Sequence, residues 1–121
     1  MIYNIYYRYI QHMNSIERFS KYLDSIEYPE QKCSWNIAGI IKGQNAFYKF
    51  DVGNMIKESE NKYGKKGSFN TEADKMVFEF KDRWVILDIE ELNKYVKKNN
   101  LKDLELNNVM SKLEWTLIVL K

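Results

Sequence analysis

Few residues in this 121-residue chain have the type and spacing to do chemistry. There is one histidine, His12, and one cysteine, Cys33. That pair excludes a multi-histidine metal centre, a cysteine-based zinc site and an internal disulfide. A Cys33–His12 nucleophile pair has no local sequence support, and no Gly-x-Ser-x-Gly elbow is present. Carboxylates are the remaining chemistry. Asp74 precedes one expected strand, and Asp88 and Glu90 follow its hairpin partner. Carboxylates converging there make a hard-oxygen site suited to Mg²⁺ or Mn²⁺, which polarises a phosphodiester and activates water. The same residues also have a purely structural account. Asp88 with Glu91 three positions on reads as an N-cap and its capping-box partner, and Glu90 as a first-turn carboxylate favoured by the helix dipole.

Two further segments bear on binding. Gly64-Lys65-Lys66-Gly67-Ser68 has glycines and lysines like a phosphate loop, but the lysines precede the glycine and a helix is expected before it. Its Gly-x-x-Gly spacing is also that of RNA-clamping loops, which join two helices. A helix C-cap followed by a solvated lysine pair accounts for it equally. The second feature is aromatic: nine tyrosines, six phenylalanines and three tryptophans make 15% of the chain. Trp35, Trp84 and Trp115 fall in expected strands as core residues. In residues 2–10, alternation sets Tyr6 and Arg8 on the face opposite Tyr3, Ile5, Tyr7 and Tyr9, and Tyr48 and Lys49 are expected to join them. Tyrosine and arginine are enriched at protein-binding hot spots. Beside Lys65 and Lys66 they also suit stacking on single-stranded bases. A face covered by the rest of the domain, or by a dimer partner, needs neither role.

The segments Thr71-Glu72-Ala73-Asp74-Lys75-Met76-Val77-Phe78 and Trp84-Val85-Ile86-Leu87-Asp88-Ile89-Glu90 resemble the PD-(D/E)xK nuclease superfamily. The resemblance covers residues 51–120, with a helix before and a helix and strand after. It implies a metal-dependent nuclease, or a degenerate copy of that fold, in which Asp74, Asp88 and Glu90 bind the divalent cation. Glu90 stands where that family has lysine, and Ala73 where it has proline.

Positioning these residues falls to elements that the hydrophobic pattern predicts. Residues 2–10 read as a strand. Residues 15–28 read as a helix with Ile16, Phe19, Leu23 and Ile26 inward, capped by Asn14 with Glu17 and stopped by Pro29. Residues 33–41 and 45–51 form a hairpin about Lys42-Gly43-Gln44-Asn45. Asp51 is expected to cap a second helix through Tyr63, with Val52, Met55, Ile56 and Tyr63 apolar and Gly64 as its C-cap. The polar stretch 64–74 reads as an exposed loop. A second hairpin pairs residues 75–80 with 83–87 about Lys81-Asp82, and Asp88 caps a helix ending at Asn99-Asn100. A short helix at 108–113 leads to the apolar run 115–120, a strand expected to be buried on both faces. The fold class is α+β: a single domain, residues 1–121, with a mixed β-sheet of about six strands and three main helices, in the order β-α-β-β-α-β-β-α-β.

Composition sets the remaining bounds. Length fits one domain that buries a core without staples. Nineteen basic against seventeen acidic residues, net +2, argue against both a bulk nucleic-acid field and an acidic DNA mimic. Lysines gather at 62–66 and 94–98, and carboxylates at 72–74 and 88–91. No apolar run is long enough to span a membrane, and the N-terminus lacks the pattern of a signal peptide. The expected location is the cytoplasm, with Cys33 a buried thiol. Sixteen lysines, twelve asparagines and twelve isoleucines against three alanines and three arginines indicate an AT-rich bacterial, phage or plasmid genome. The reading is a small non-enzymatic protein-binding protein, an inhibitor of immunity or anti-defence type, with no cofactor. Its partner surface is Tyr6, Arg8, Tyr48, Lys49, Lys65 and Lys66. The alternatives are the Mg²⁺- or Mn²⁺-dependent nuclease at Asp74, Asp88 and Glu90, and a nucleic-acid-binding module. A protein partner is expected, nucleic acid and a homodimer stay open, and no membrane is involved.

Overall fold

The chain folds around one curled, mixed sheet. The computed structural model describes residues 14–54, 56–57, 62–63, 72–100 and 104–121. In chain order the elements are helix α1 (Ser15–Ser20) and strands β1 (Leu23–Glu27), β2 (Ile37–Ile41), β3 (Phe47–Asn54), β4 (Ile56–Lys57), β5 (Lys62–Tyr63), β6 (Lys75–Glu79) and β7 (Arg83–Asp88). Helix α2 (Ile89–Asn99), β8 (Leu104–Glu105), helix α3 (Leu106–Met110) and β9 (Thr116–Leu120) follow. The main sheet has the order β1-β2-β3-β6-β7-β9, and β4, β5 and β8 form a small second sheet. Neighbours in the main sheet are antiparallel except β3 and β6, which run parallel. An α+β architecture with a six-stranded mixed sheet is what the pattern predicts, and the described residues include three helices; the order of elements is matched only in part.

Both expected hairpins are present. Ile37–Ile41 returns as Phe47–Asn54 with Gly43 in the turn at φ 89°, and Lys75–Glu79 returns as Arg83–Asp88. Two expected helices are corrected. The helix from residue 15 ends at Ser20, and Leu23 and Asp24 pair with Ile41 and Ile40 instead. Gly39 explains why a strand wins there. A Cβ on Gly39 would stand 2.8 Å from the Asp24 carbonyl oxygen, so only glycine lets β1 approach β2. The helical spacing of Phe19 and Leu23 is real, but both residues enter one core from two different elements. Where the helix expected from Asp51 through Tyr63 falls on described residues it is strand instead, and at its start Phe50 and Val52 bury one face while Asp51 pairs in parallel with Met76. The expected strand at 2–10, the C-cap at Gly64 and the polar residues 64–71 lie outside the described residues.

Side chains alternate across the sheet and build two apolar layers. On one face Phe19, Ile37, Phe50, Val77, Trp84 and Ile86 are buried, with Leu117 and Val119 packed against them. Phe19, the inward residue of α1, meets Phe50 edge-on at 5.1 Å and Trp84 at 5.2 Å. On the other face Met76, Phe78, Val85 and Leu87 meet Ile89 and Leu92 of α2 and Leu106 and Val109 of α3. Strand β9 is corrected from the buried position expected of it. It is a sheet edge among the described residues, with Ile118 47% and Leu120 73% exposed. An apolar run reports burial on average, not how many neighbours a strand has. Cys33 is also exposed rather than buried, on the β1–β2 connection, its thiol 3.4 Å from the Trp35 carbonyl.

Phe19 is the only buried residue of a six-residue helix too short to persist unaided. Phe19→Ala is expected to cost about 3–5 kcal/mol in urea unfolding, with the slope unchanged. A loss below about 1 kcal/mol would show that the helix does not anchor this face.

Candidate functional site

The hairpin of β6 and β7 does bring the predicted acidic residues together. Lys75 opens β6 and Asp88 closes β7, and the two stand opposite each other in the ladder. Asp74 lies one residue before β6 and Glu90 in the first turn of α2. Asp74, Asp88 and Glu90 therefore line one cleft of about 340 Å³, with Tyr48 and Lys75 in its wall.

Each carboxylate already has a structural duty, to differing degrees. Asp88 Oδ2 accepts the Glu91 N–H at 3.1 Å and caps α2, while Oδ1 accepts Lys75 Nζ at 2.7 Å. Asp74 stitches three elements. Its Oδ2 accepts the Lys49 N–H (2.9 Å), its own N–H donates to the Lys49 carbonyl (2.8 Å), and its carbonyl accepts the Ile89 N–H (3.1 Å). Glu90 is solvated and pairs with Lys94 at 3.3 Å, a one-turn contact of small energetic weight. Among the described residues no group of three histidine, cysteine, aspartate or glutamate side chains is arranged to hold a metal ion.

Lys75 is the residue the sequence reading missed. Its side chain is 5% exposed, and its ammonium lies 3.6 Å from the Trp115 ring centroid and 4.4 Å from that of Tyr48. A buried ammonium is tolerable only with a counter-ion and groups that replace water, and Asp88 and the two ring faces supply them. The signal was present in the alternation. Lys75, Val77 and Glu79 share the face on which Val77 is core, so both charged residues point inward at its two ends. The spacing predicts Glu91 as the reciprocal half of a capping box. Instead its carboxylate accepts the N–H groups of Glu114 and Trp115 at 2.9 and 3.0 Å. That clamp holds Trp115 over Lys75.

Of the expected partner surface, Tyr48 and Lys49 point to opposite faces. Tyr48 is half-buried, edge-on to Phe50 and to Trp115 at 5.9 Å, and belongs to the core. Lys49 is exposed, with its ammonium 5.4 Å from the Trp35 ring centroid. Tyr6, Arg8, Lys65, Lys66 and His12 lie outside the described residues.

A second ion cluster closes the opposite end of the same face. Glu79 accepts two hydrogen bonds of 2.7 Å from Arg18 and one of 2.9 Å from Lys121. Burial opposes ionisation of Glu79, but these hydrogen bonds outweigh it and hold the carboxyl below its ordinary 4.5. Among the described residues no helix is long and apolar enough to cross a membrane. A comparison with known families finds no matching family model, and comparisons with curated proteins and with solved structures find no significant match.

Two outcomes follow. Glu91→Ala is expected to cost about 2 kcal/mol by losing two hydrogen bonds to a charged acceptor, whereas Glu90→Ala stays within about 0.5 kcal/mol. Equal losses in chemical unfolding would contradict the clamp. A depressed carboxyl stabilises the fold above its unfolded-state pKa, and that contribution is lost as pH falls through the folded-state value. The acid limb of the stability profile is therefore expected to flatten in Glu79→Gln, and an unchanged limb would remove Glu79 as its cause.

Proposed function

We propose that this chain is a small non-enzymatic protein-binding protein of inhibitor, immunity or anti-defence type, acting in the cytoplasm of a bacterium or on behalf of a phage or mobile element. The observation that carries the reading is the edge of β9, which has no neighbouring strand beyond it among the described residues. The residues Thr116-Leu117-Ile118-Val119-Leu120 hold a regular five-residue register against β7, contain no charge or proline, and leave Ile118 and Leu120 exposed. Edges of that kind recruit an extended segment by strand addition. The opposite edge is protected. β1 carries a register shift between Asp24 and Glu27, Ser25 sits at φ 56°, and its outward residues include both carboxylates. A fold that blunts one edge and leaves the other regular and apolar has an edge suited to pairing.

Lys75, Asp88, Asp74 and Glu91 each make hydrogen bonds that hold the fold. A tagged chain, recovered after nuclease treatment from cells that also carry the untagged chain, is expected to bring down one stoichiometric protein, and Ile118→Lys to lose it. No captured protein, or one that Ile118→Lys retains, would contradict the edge reading.

One observation favours a second reading, a Mg²⁺- or Mn²⁺-dependent nuclease or its degenerate relative: Asp74, Asp88 and Glu90 share a cleft with Lys75. That reading predicts divalent-dependent cleavage of single-stranded or plasmid DNA, abolished by Asp74→Ala in protein that still folds. Absence of cleavage by the wild type would dismiss it.

A further inference from the structure

Which partner fits the β9 edge can be read from the strand itself; the inference rests on the edge-binding reading above. In an antiparallel strand each residue sends its N–H and C=O to one side, and successive residues alternate. The Lys121 N–H donates to the Asp82 carbonyl at 3.0 Å, on the β7 side. Val119 and Leu117 therefore also point to β7, opposite Trp84 and Ile86. Thr116, Ile118 and Leu120 direct their backbone groups to the free edge.

We infer that the occupant of this edge is a second copy of the chain, paired antiparallel about a two-fold axis through Ile118. That register is self-complementary. Ile118 faces its own copy, Thr116 faces Leu120, and every outward N–H and C=O of the three residues meets an outward group of the partner. A shift by one residue would oppose outward groups with inward ones. Side chains agree with the same register. Ile118 and Leu120, the two exposed apolar residues of β9, gather on one face across the axis. On the other face Leu117 meets Val119. Charge agrees with this direction: Glu114 precedes the strand, and at its far end Lys121 and Arg18 share the single carboxylate of Glu79 and leave a net positive charge, so antiparallel pairing sets acidic start beside basic end at both ends. Parallel pairing would set like beside like. The bulge and carboxylates of β1 deny the other edge this role, so association closes at two copies and does not run on into a filament.

Sedimentation and light scattering of the full chain test it, with hydrogen exchange beside them. The expected mass at high concentration is twice 14.6 kDa. Exchange of the Thr116, Ile118 and Leu120 amides is expected to slow with concentration, while the already bonded Leu117 and Val119 amides do not change. Ile118→Lys and Leu120→Lys, both at exposed positions, are expected to be monomeric with an unchanged circular-dichroism spectrum. A dimer that both variants retain, or one without protection at these three amides, would place the interface elsewhere and overturn the inference. A wild-type monomer would overturn it too. If a captured partner is still lost in Ile118→Lys, only the choice of a second copy fails; if that partner is retained, the edge reading fails with it.

Discussion

A buried ammonium constrains this fold more than any other single group. Lys75 at the head of β6 is out of water, and its charge must be met by structure. Asp88 meets it from the neighbouring strand, Tyr48 from β3 and Trp115 from the approach to β9. Three strands and the start of a helix thereby share one point. Asp88 also caps α2, so the pair fixes where β7 ends and the helix begins. Glu91, one turn into that helix, reaches to the backbone at 114–115 and fastens the indole in place. The Arg18–Glu79–Lys121 cluster does the corresponding work at the far end of the same face, and Phe19 with Trp84 fills the space between.

That arrangement bears on function by subtraction. Asp74 and Asp88, two of the three carboxylates whose types suggest catalysis, hold β3, β6, β7 and α2 together, while Glu90 is solvated. Ile26, Tyr28 and Phe47 are exposed elsewhere, but among the described residues β9 joins a regular sheet edge to two exposed apolar side chains. Association through that edge is the reading that uses the unsatisfied groups and leaves the satisfied ones alone.

Elements decided by neighbouring residues are legible in the sequence. The two hairpins, the Asp88-capped helix and the gathering of Asp74, Asp88 and Glu90 at one place follow from alternation, turn residues and a cap, all within a few residues of one another. Elements decided at a distance were not legible. Leu23 sits at a helical spacing from Phe19, yet its strand depends on Gly39 in another strand. The apolar stretch after Asp51 has a helical periodicity too, but Phe50 and Asp51 answer to a parallel partner at Lys75 and Met76. The role of Lys75 was hidden for the same reason. A lysine beside an aspartate reads as solvated until Trp115, far along the chain, is seen to cover it. Strand β9 was placed correctly and its burial was not, since apolar content does not tell a central strand from an edge.

The central claim is that Lys75 and Asp88 act as one structural unit rather than as free catalytic groups. A double-mutant cycle of Lys75→Met and Asp88→Asn, read by chemical unfolding, measures it most directly. Asparagine keeps the helix cap, so the cycle isolates the ion pair. The account predicts that the double variant is more stable than the sum of the single losses implies, with a coupling of about 1–3 kcal/mol. Additive losses, with coupling near zero, would contradict it.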